Sequence, residues 1–184
     1  MRVAAGPNHF TCCKTFFTGQ ATQKLTDGSV AGDGVAAEDW RFGAGWSFMD
    51  GGVGCVLSSC EVQDTWGHGV VLAGSEVMLN GMRFGNIGSL ARRFGKGRQP
   101  PLPDVGAVWF GPKAADNVVE GVVGDQFVKY RRESPNTLES VTVVAGAARN
   151  RVRLKVVPGH VLDRPVSAAA REAARGDPND ILID

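Results

Sequence analysis

The chain has 184 residues, of which 43% are hydrophobic and 21% charged, so its composition favours a globular or fibrous domain over an intrinsically disordered chain. Twenty basic and nineteen acidic residues give a formal net charge of +1, which excludes a strong overall field for nucleic acid or an anionic membrane. Glycine is the outlier: its 25 residues are about twice the usual share of roughly 7%, show no collagen period, and indicate many tight turns.

The N-terminal segment, Met1 to Cys13, lacks the apolar stretch of a secretory signal, and no apolar run approaches the roughly 18 residues that span a bilayer. We therefore expect neither export nor membrane insertion. Cys12, Cys13, Cys55 and Cys60 form no CxxC pair. Buried free thiols are favoured over a disulfide framework or a zinc site, and we expect no metal and no cofactor.

Short strands separated by turns are predicted from Val30 to Val166, where β-branched or aromatic stretches alternate with Gly, Asn and Asp. The segment 69–74 is one such strand. Further on, Val77 and Leu79 precede Asn80-Gly81, and Met82 and Phe84 follow it. The period of two on both sides predicts two strands, and Asn-Gly between them is a strong turn signal.

A repeat at irregular spacing connects these strands. Residues 114–119 align with 147–152 at an offset of 33. A second pattern has three positions: an apolar residue, any residue, and then Asp or Asn. It occurs four times, ending at Asp50, Asp64, Asn86 and Asp125, with spacings of 14, 22 and 39. A single coil of this kind cannot bury its apolar face, so it must stack on the next. The pattern predicts an all-β parallel β-helix, with a β-sandwich or jelly roll as the alternative.

Two segments break the strand pattern. Residues 91–104 carry four positive charges and three prolines, which predicts a protruding loop. Residues 167–176 predict a short helix with Ser167 as N-cap and Gly176 just past its end. We therefore expect a β-helix domain over 1–166, and a helix and tail over 167–184 that cover its open end or contact another subunit.

The stretch 51–70 resembles the coils of right-handed β-helix proteins of the pectate-lyase-like superfamily, and most of all bacteriophage tailspikes and virion spikes. Its apolar-x-Cys-x-apolar strand, Asp turn and Gly-His-Gly-Val sequence carry the resemblance, and they recur loosely from about residue 30 to 160. The resemblance implies an elongated, right-handed and trimeric protein.

The resemblance also implies a location and a partner. Such a protein belongs to a phage or phage-like virion, is made in the host cytoplasm, is released without a signal peptide, and contacts other virion proteins and bacterial surface polysaccharide. Some relatives cleave the polysaccharide and others only bind it. Because this chain is short for a tailspike, recognition without cleavage is favoured.

Candidate catalytic residues are carboxylates, because glycoside hydrolysis uses one to protonate the leaving oxygen and another to activate water or attack the sugar. The candidates are Asp39, Asp50, Glu61 and Asp64, with His68 nearby. Asp50 and Asp64 would lie close if their coils stacked in register, and Glu61 projects outward if Cys60 and Val62 point inward. The alternatives are turn-capping carboxylates and a packed histidine.

Candidate glycan-binding residues are aromatic or basic. The sugar's C–H face stacks on indole, so Trp46, Trp66 and Trp109 are candidates if they are exposed. Arg92, Arg93, Lys96 and Arg98 of the predicted loop could meet acidic sugars. The alternatives are core tryptophans and a solvated or intersubunit loop. Three functions stay open: a polysaccharide-binding spike, which is favoured, a polysaccharide depolymerase, and a structural fibre segment.

Overall fold

The computed structural model describes residues 1–4, 6–16, 44–49, 52–65, 67–88, 106–124, 139–143, 146–158, 164–166 and 179–183. These residues form fourteen strands: β1 (Arg2–Val3), β2 (His9–Thr11), β3 (Lys14–Phe16), β4 (Trp46–Phe48), β5 (Val56–Ser58), β6 (Glu61–Gln63), β7 (Val70–Leu72), β8 (Met78–Gly85), β9 (Gly106–Phe110), β10 (Val118–Val123), β11 (Glu139–Val143), β12 (Arg151–Val156), β13 (Arg164–Val166) and β14 (Asp180–Ile183). The predicted loop over 91–104 and the predicted helix over 167–176 lie outside the described residues.

The strands form two sheets, and every described pair is parallel. The six-stranded sheet has the order β1-β4-β7-β9-β11-β13, and the eight-stranded sheet has the order β14-β12-β10-β8-β5-β2, with β6 beside β8 and β3 beside β6. The chain therefore visits the two sheets in turn, and each visit adds a strand next to the previous one. The all-β prediction is confirmed, whereas the jelly roll would require antiparallel pairs.

The 33-residue offset of the sequence repeat is the offset at which β10 pairs with β12. Val118 lies opposite Arg151, and the match continues through the whole of β12. The 22- and 39-residue spacings are also registers, because Val62 pairs with Phe84 and Phe84 with Val123. The pairing predicted from the 14-residue spacing is wrong, because Phe48 belongs to the six-stranded sheet and pairs with Leu72 instead of Val62. Similar tripeptides at corresponding strand ends of two different sheets produced this false repeat.

The core lies between the two sheets and consists of rows of inward side chains that follow the register. One row of the six-stranded sheet contains Trp46, Val70, Val108 and Val141, and one row of the eight-stranded sheet contains Leu57, Leu79, Val119 and Val152. Burying each large apolar side chain contributes roughly 1.5–3 kcal/mol. A slip of one residue would turn a row outward, so these rows hold the register.

Residues with a left-handed backbone conformation (positive φ) lie where the chain bends, at positions that we call corners. Corners of neighbouring strands stack in columns. Cys12, Ser59 and Gly81 have φ of 52°, 54° and 62°, and Ser59 N–H donates to the carbonyl of Asn80 at 2.8 Å. The Asn80-Gly81 step is therefore a bend inside β8, and the predicted turn between two separate strands is wrong. The sequence signal indicates a residue with positive φ, but a single such residue redirects a strand without reversing it.

A second corner column precedes β5, β8, β10 and β12. Gly54, Glu76, Asp116 and Arg149 occupy it with φ between 55° and 68°. On its exposed side Arg149 forms a bidentate ion pair with Asp116, and the guanidinium holds the pKa of that carboxyl below its ordinary value. The four turns therefore share one backbone conformation at this corner although their residue types differ.

A column of buried asparagines directly follows this corner. Asn117 Nδ2 donates to Asn150 Oδ1 and Asn150 Nδ2 donates to Asn179 Oδ1, both at 2.8 Å. The same acceptor oxygens receive the backbone N–H of Asn117 at 3.2 Å and of Asn150 at 3.0 Å. We call Asn117, Asn150 and Asn179 the asparagine ladder.

The ladder satisfies turn groups that burial would otherwise leave without partners. Val77 N–H donates to Asn117 Oδ1 at 2.9 Å. The second Nδ2 hydrogen of each asparagine reaches a carbonyl of the preceding turn, which belongs to Gly74, Ala114 and Ala147 for Asn117, Asn150 and Asn179 respectively. A buried amide without a partner costs about 1–3 kcal/mol, so each carboxamide stabilises one specific stacking register.

The four cysteines are free thiols, as expected, but they differ in exposure. Cys55 and Cys60 are buried, and burial raises the pKa of the Cys60 thiol. Cys12 is exposed at its corner, so the prediction of burial is wrong for this residue. The part of the chain described here contains no helix long and apolar enough to cross a membrane.

Replacing Asn150 with Leu should lower the free energy of unfolding by about 3–5 kcal/mol, because it removes the acceptor of both Asn117 N–H and Asn117 Nδ2 in the core and takes one donor each from the Ala114 carbonyl and Asn179 Oδ1. Urea unfolding followed by circular dichroism measures the change. The matched control is Asn80→Leu on the outer face of β8, which should change stability by less than about 1 kcal/mol. Equal losses for the two variants would contradict the role of the ladder.

Candidate functional site

Glu61 lies on the outer face of the eight-stranded sheet, as predicted, because its neighbours Cys60 and Val62 point into the core. Its carboxylate lies 3.2 Å from Lys14 Nζ and 4.0 Å from Arg83 Nε. These cations come from the strands on either side of β6. Glu61 is therefore part of a network of surface ion pairs.

Asp64 is buried at the corner that follows β6, with a φ of 50°. Its Oδ1 accepts a hydrogen bond from Asn86 Nδ2 at 3.1 Å, and Asn86 occupies the corresponding position after the paired strand β8, with a φ of 52°. This contact matches the turn-capping alternative. The predicted approach of Asp50 to Asp64 requires the false 14-residue register, and Asp39 and Asp50 themselves lie outside the described residues.

His68 is buried just before β7. Gly106 N–H donates to its Nδ1 at 3.2 Å, which assigns the hydrogen of the neutral ring to Nε2. Burial lowers the pKa of His68 to about 4. The imidazole is therefore neutral at pH 7, and its Nδ1 is already occupied by a backbone donor. His68 thus binds the β9 strand, and its predicted companion Trp66 lies outside the described residues.

Trp46 and Trp109 are buried, with 1% and 6% of their surface exposed, so they match the alternative of core tryptophans and do not meet the condition of exposure set for glycan binding. The Trp46 ring packs against Phe10 at 5.1 Å and Phe48 at 6.2 Å between centroids. Trp109 points away from the main core, and its ring lies 5.9 Å from that of His68. Arg92, Arg93, Lys96 and Arg98 all lie outside the described residues.

The exposed chemistry lies instead on the outer face of the eight-stranded sheet. Strand β12 alternates Arg151, Arg153 and Lys155 with inward Val152 and Leu154. Arg153 forms an ion pair with Asp180 on β14, which holds the pKa of that carboxyl below its ordinary value. Among the described residues, Arg151 and Lys155 have no ion-pair partner. They are therefore available to an anionic ligand.

Exposed apolar side chains lie beside these cations. Met78 is 41% exposed and Val122 is 39% exposed. In the register, Val122 lies between Arg83 and Lys155, and Val118 lies between Met78 and Arg151. We define the outer face by its side chains: Glu61, Met78, Arg83, Val122, Arg151 and Lys155.

Arg83, Arg151 and Lys155 were not among the predicted site residues, although the sequence carried a signal for the last two. In the sequence Arg-Val-Arg-Leu-Lys-Val of β12, charged and aliphatic residues alternate with a period of two. This alternation is typical of a strand with one solvent-exposed face. Among the described residues, no three His, Cys, Asp or Glu side chains lie together as ligands for a metal ion.

Comparison with known proteins gives no match: no protein-family model, curated protein or solved structure is significantly similar to this chain. The geometry of the described residues is therefore the basis for any assignment of function.

The buried neutral His68 should make stability depend on pH. Its pKa is lowered in the folded state, so the unfolded state takes up the proton first and stability falls as the pH drops from about 6.5 towards 4. At pH 5 the loss should be about 2 kcal/mol relative to pH 7.5.

The control is His68→Asn, which keeps an acceptor for Gly106 N–H and removes the titration. Urea unfolding at both pH values should show a smaller pH dependence for the variant by about that amount. An identical pH dependence in the two proteins would contradict the neutral, buried state of His68.

Proposed function

We propose that the described strands are successive coils of a right-handed parallel β-helix of the pectate-lyase-like kind. The alternate visits to two parallel sheets support this proposal, as do the stacked corners and the asparagine ladder. Parallel sheets in other folds are usually covered by crossover helices, whereas in a β-helix each sheet covers the other. The right hand follows from the strong preference of parallel strand crossovers.

We further propose that the chain is a spike or fibre component of a phage or phage-like virion and binds bacterial surface polysaccharide. The observation that carries this proposal is the outer face, where exposed cations and apolar side chains repeat along the stacking axis. A polymer whose own units repeat can contact several coils at once, and such multiple weak contacts add up in affinity. Arg83, Arg151 and Lys155 favour an acidic polysaccharide.

A depolymerase on the same fold is the second candidate. The described carboxylates argue against a catalytic pair: Glu61 is held by two cations, and Asp64 is bonded to Asn86 in the interior. His68 is neutral and bonded to the β9 backbone. Recognition on the outer face uses none of these three residues as an acid or base, so it is the proposal that the geometry supports best.

In the virion the chain would act as a homotrimer or with other spike proteins.

The test is binding of the purified protein to acidic capsular polysaccharides from a panel of bacteria, with a neutral polysaccharide as the ligand control. Replacing Arg151 and Lys155 together by Gln should weaken binding about tenfold or more, because two charged hydrogen-bond donors are lost. The matched control replaces Lys113 and Arg149 by Gln, since both are exposed at turns outside the outer face. Biolayer interferometry on immobilised polymer measures the affinities.

The control variant should bind as the wild type does. Equal weakening by both double variants would overturn the assignment to the outer face, and tight binding to the neutral polymer would overturn the choice of an acidic ligand. The size distribution of the polymer is followed in the same samples. Shortened polymer would replace recognition by depolymerisation as the function.

A further inference from the structure

Two of the four free cysteines lie side by side on neighbouring strands. Lys14 on β3 pairs with Glu61 on β6, an offset of 47 residues, and β2 pairs with β5 at the same offset. This register places Cys13, directly before β3, next to Cys60, directly before β6. Paired strands lie about 4.8 Å apart, which is within the range of Cα separations that a disulfide bridges.

The two thiols make equivalent contacts with the backbone. Cys13 Sγ donates to the carbonyl of Thr11, and Cys60 Sγ donates to the carbonyl of Ser58, both at 3.3 Å. In addition, Cys13 N–H donates to Cys60 Sγ at 3.3 Å. The Cys60 sulfur therefore lies against the backbone of Cys13. Rotation about the Cα–Cβ bond of Cys13 turns its own sulfur towards that of Cys60.

The other two cysteines do not share this arrangement. Cys12 is exposed at its corner, and the corresponding residue between β5 and β6 is Ser59. Cys55 lies before β5 whereas Cys60 lies after it, so that strand separates the two. All four cysteines are among the described residues, and Cys13 and Cys60 are the two that stand in register.

The exposure of the two registered thiols assigns them different roles. Cys60 is buried, and burial raises the pKa of its thiol, so it reacts poorly with a reagent from solution. Cys13 is partly exposed and packs against the core with the rest of its surface. A reagent in solution therefore meets Cys13 first, and a sulfur attached to Cys13 is then held beside Cys60.

We propose that Cys13 and Cys60 are a redox-active thiol pair, whose oxidation forms a disulfide between the corner that precedes β3 and the corner that precedes β6. The two sulfurs belong to one chain and already lie in register. The reaction therefore requires neither an open sheet edge nor a second copy, and it does not rest on glycan binding.

The reaction balances with a small disulfide as the oxidant. The Cys13 thiolate attacks one sulfur of that molecule, its S–S bond breaks, a mixed disulfide forms on Cys13, and one small thiolate leaves. Cys60 then gives up its proton and attacks the Cys13 sulfur, which forms the protein disulfide and releases the second small thiol. Two electrons pass from the two cysteines to the oxidant, and their two protons end on the two small thiols.

The disulfide would fix the first strands of the eight-stranded sheet covalently to their neighbours. It would close a loop between residues 13 and 60, and a cross-link that closes a long loop restricts the unfolded chain more than the folded one. Oxidation therefore stabilises the fold at this place, and reduction releases the stabilisation. The pair is a switch between two states of stability.

The first test counts thiols. The native protein is equilibrated with oxidised glutathione, then denatured and alkylated, and its mass gives the number of free thiols. In the wild type this number should fall from four to two, and the product should run as a monomer on a non-reducing gel. Cys12→Ser is the matched control, because it removes the adjacent exposed thiol and keeps the pair; it should also lose two thiols. Cys13→Ser should form no protein disulfide.

A second variant shows the order of the two steps. In a Cys12→Ser background, Cys60→Ala removes the thiol that resolves the mixed disulfide. This variant should accumulate a glutathione adduct on Cys13, which Cys12→Ser alone should not. Ser is compatible with position 12 because Ser59 occupies the corresponding corner between β5 and β6.

Four free thiols in the equilibrated wild type would overturn the proposal. A protein disulfide that persists in Cys13→Ser, or one that is lost in Cys12→Ser, would also overturn it, because the bond would then join other cysteines. Cys13 is partly exposed, so Cys13→Ser provides this test however Cys60→Ala folds.

The second test measures the stabilisation. The midpoint of thermal unfolding, followed by circular dichroism, should be about 10 °C higher for the oxidised than for the reduced wild type, and equally so for Cys12→Ser. For Cys13→Ser the same treatment should leave the midpoint unchanged. An oxidised wild type with an unchanged or lower midpoint would overturn the switch. Binding of acidic polysaccharide should not differ between the two redox states, so failure of this proposal and failure of glycan recognition are separable.

Discussion

The buried asparagine ladder is the constraint on which the rest of the structure depends. A carboxamide in the interior must satisfy one oxygen and two N–H groups, and Asn150 does so only if Asn117 and Asn179 stand directly on either side of it. Apolar rows alone tolerate repacking, because one aliphatic side chain replaces another at small cost. The ladder therefore selects one register, and that register brings Arg83, Val122 and Lys155 into line on the outer face.

Much of the fold was predictable from the residues, since strand registers leave similar sequences at equal offsets. The 33-residue match is clear because the segments around β10 and β12 both have a left-handed residue, then a buried asparagine, then inward aliphatic side chains. The 14-residue match failed because Asp corners follow strands of both sheets, and spacing does not say which sheet a strand joins. The bend at Gly81 was misread because positive φ is shared by a hairpin turn and by a corner within one strand.

The candidate site was less predictable. A period of two assigns Glu61 and Lys155 to the outside of a strand, but it does not say what covers that outside. Trp109 and Val71 both point away from the main core, yet they are buried beside Ala44. In contrast, β12 presents its three cations to solvent or to Asp180. Whether an outward residue is free depends on packing between distant segments, which local alternation does not encode.

The central claim is that β10 and β12 are parallel neighbours offset by 33 residues, as in a β-helix, and nuclear Overhauser contacts in the folded protein test it most directly. The account predicts contacts between backbone amide and α protons of the registered pairs Val119–Val152 and Val123–Val156, with slowly exchanging side-chain amides for Asn117 and Asn150. Strong contacts between facing α protons of β10 and β12, the signature of antiparallel pairing, would contradict it, as would contacts at any other offset.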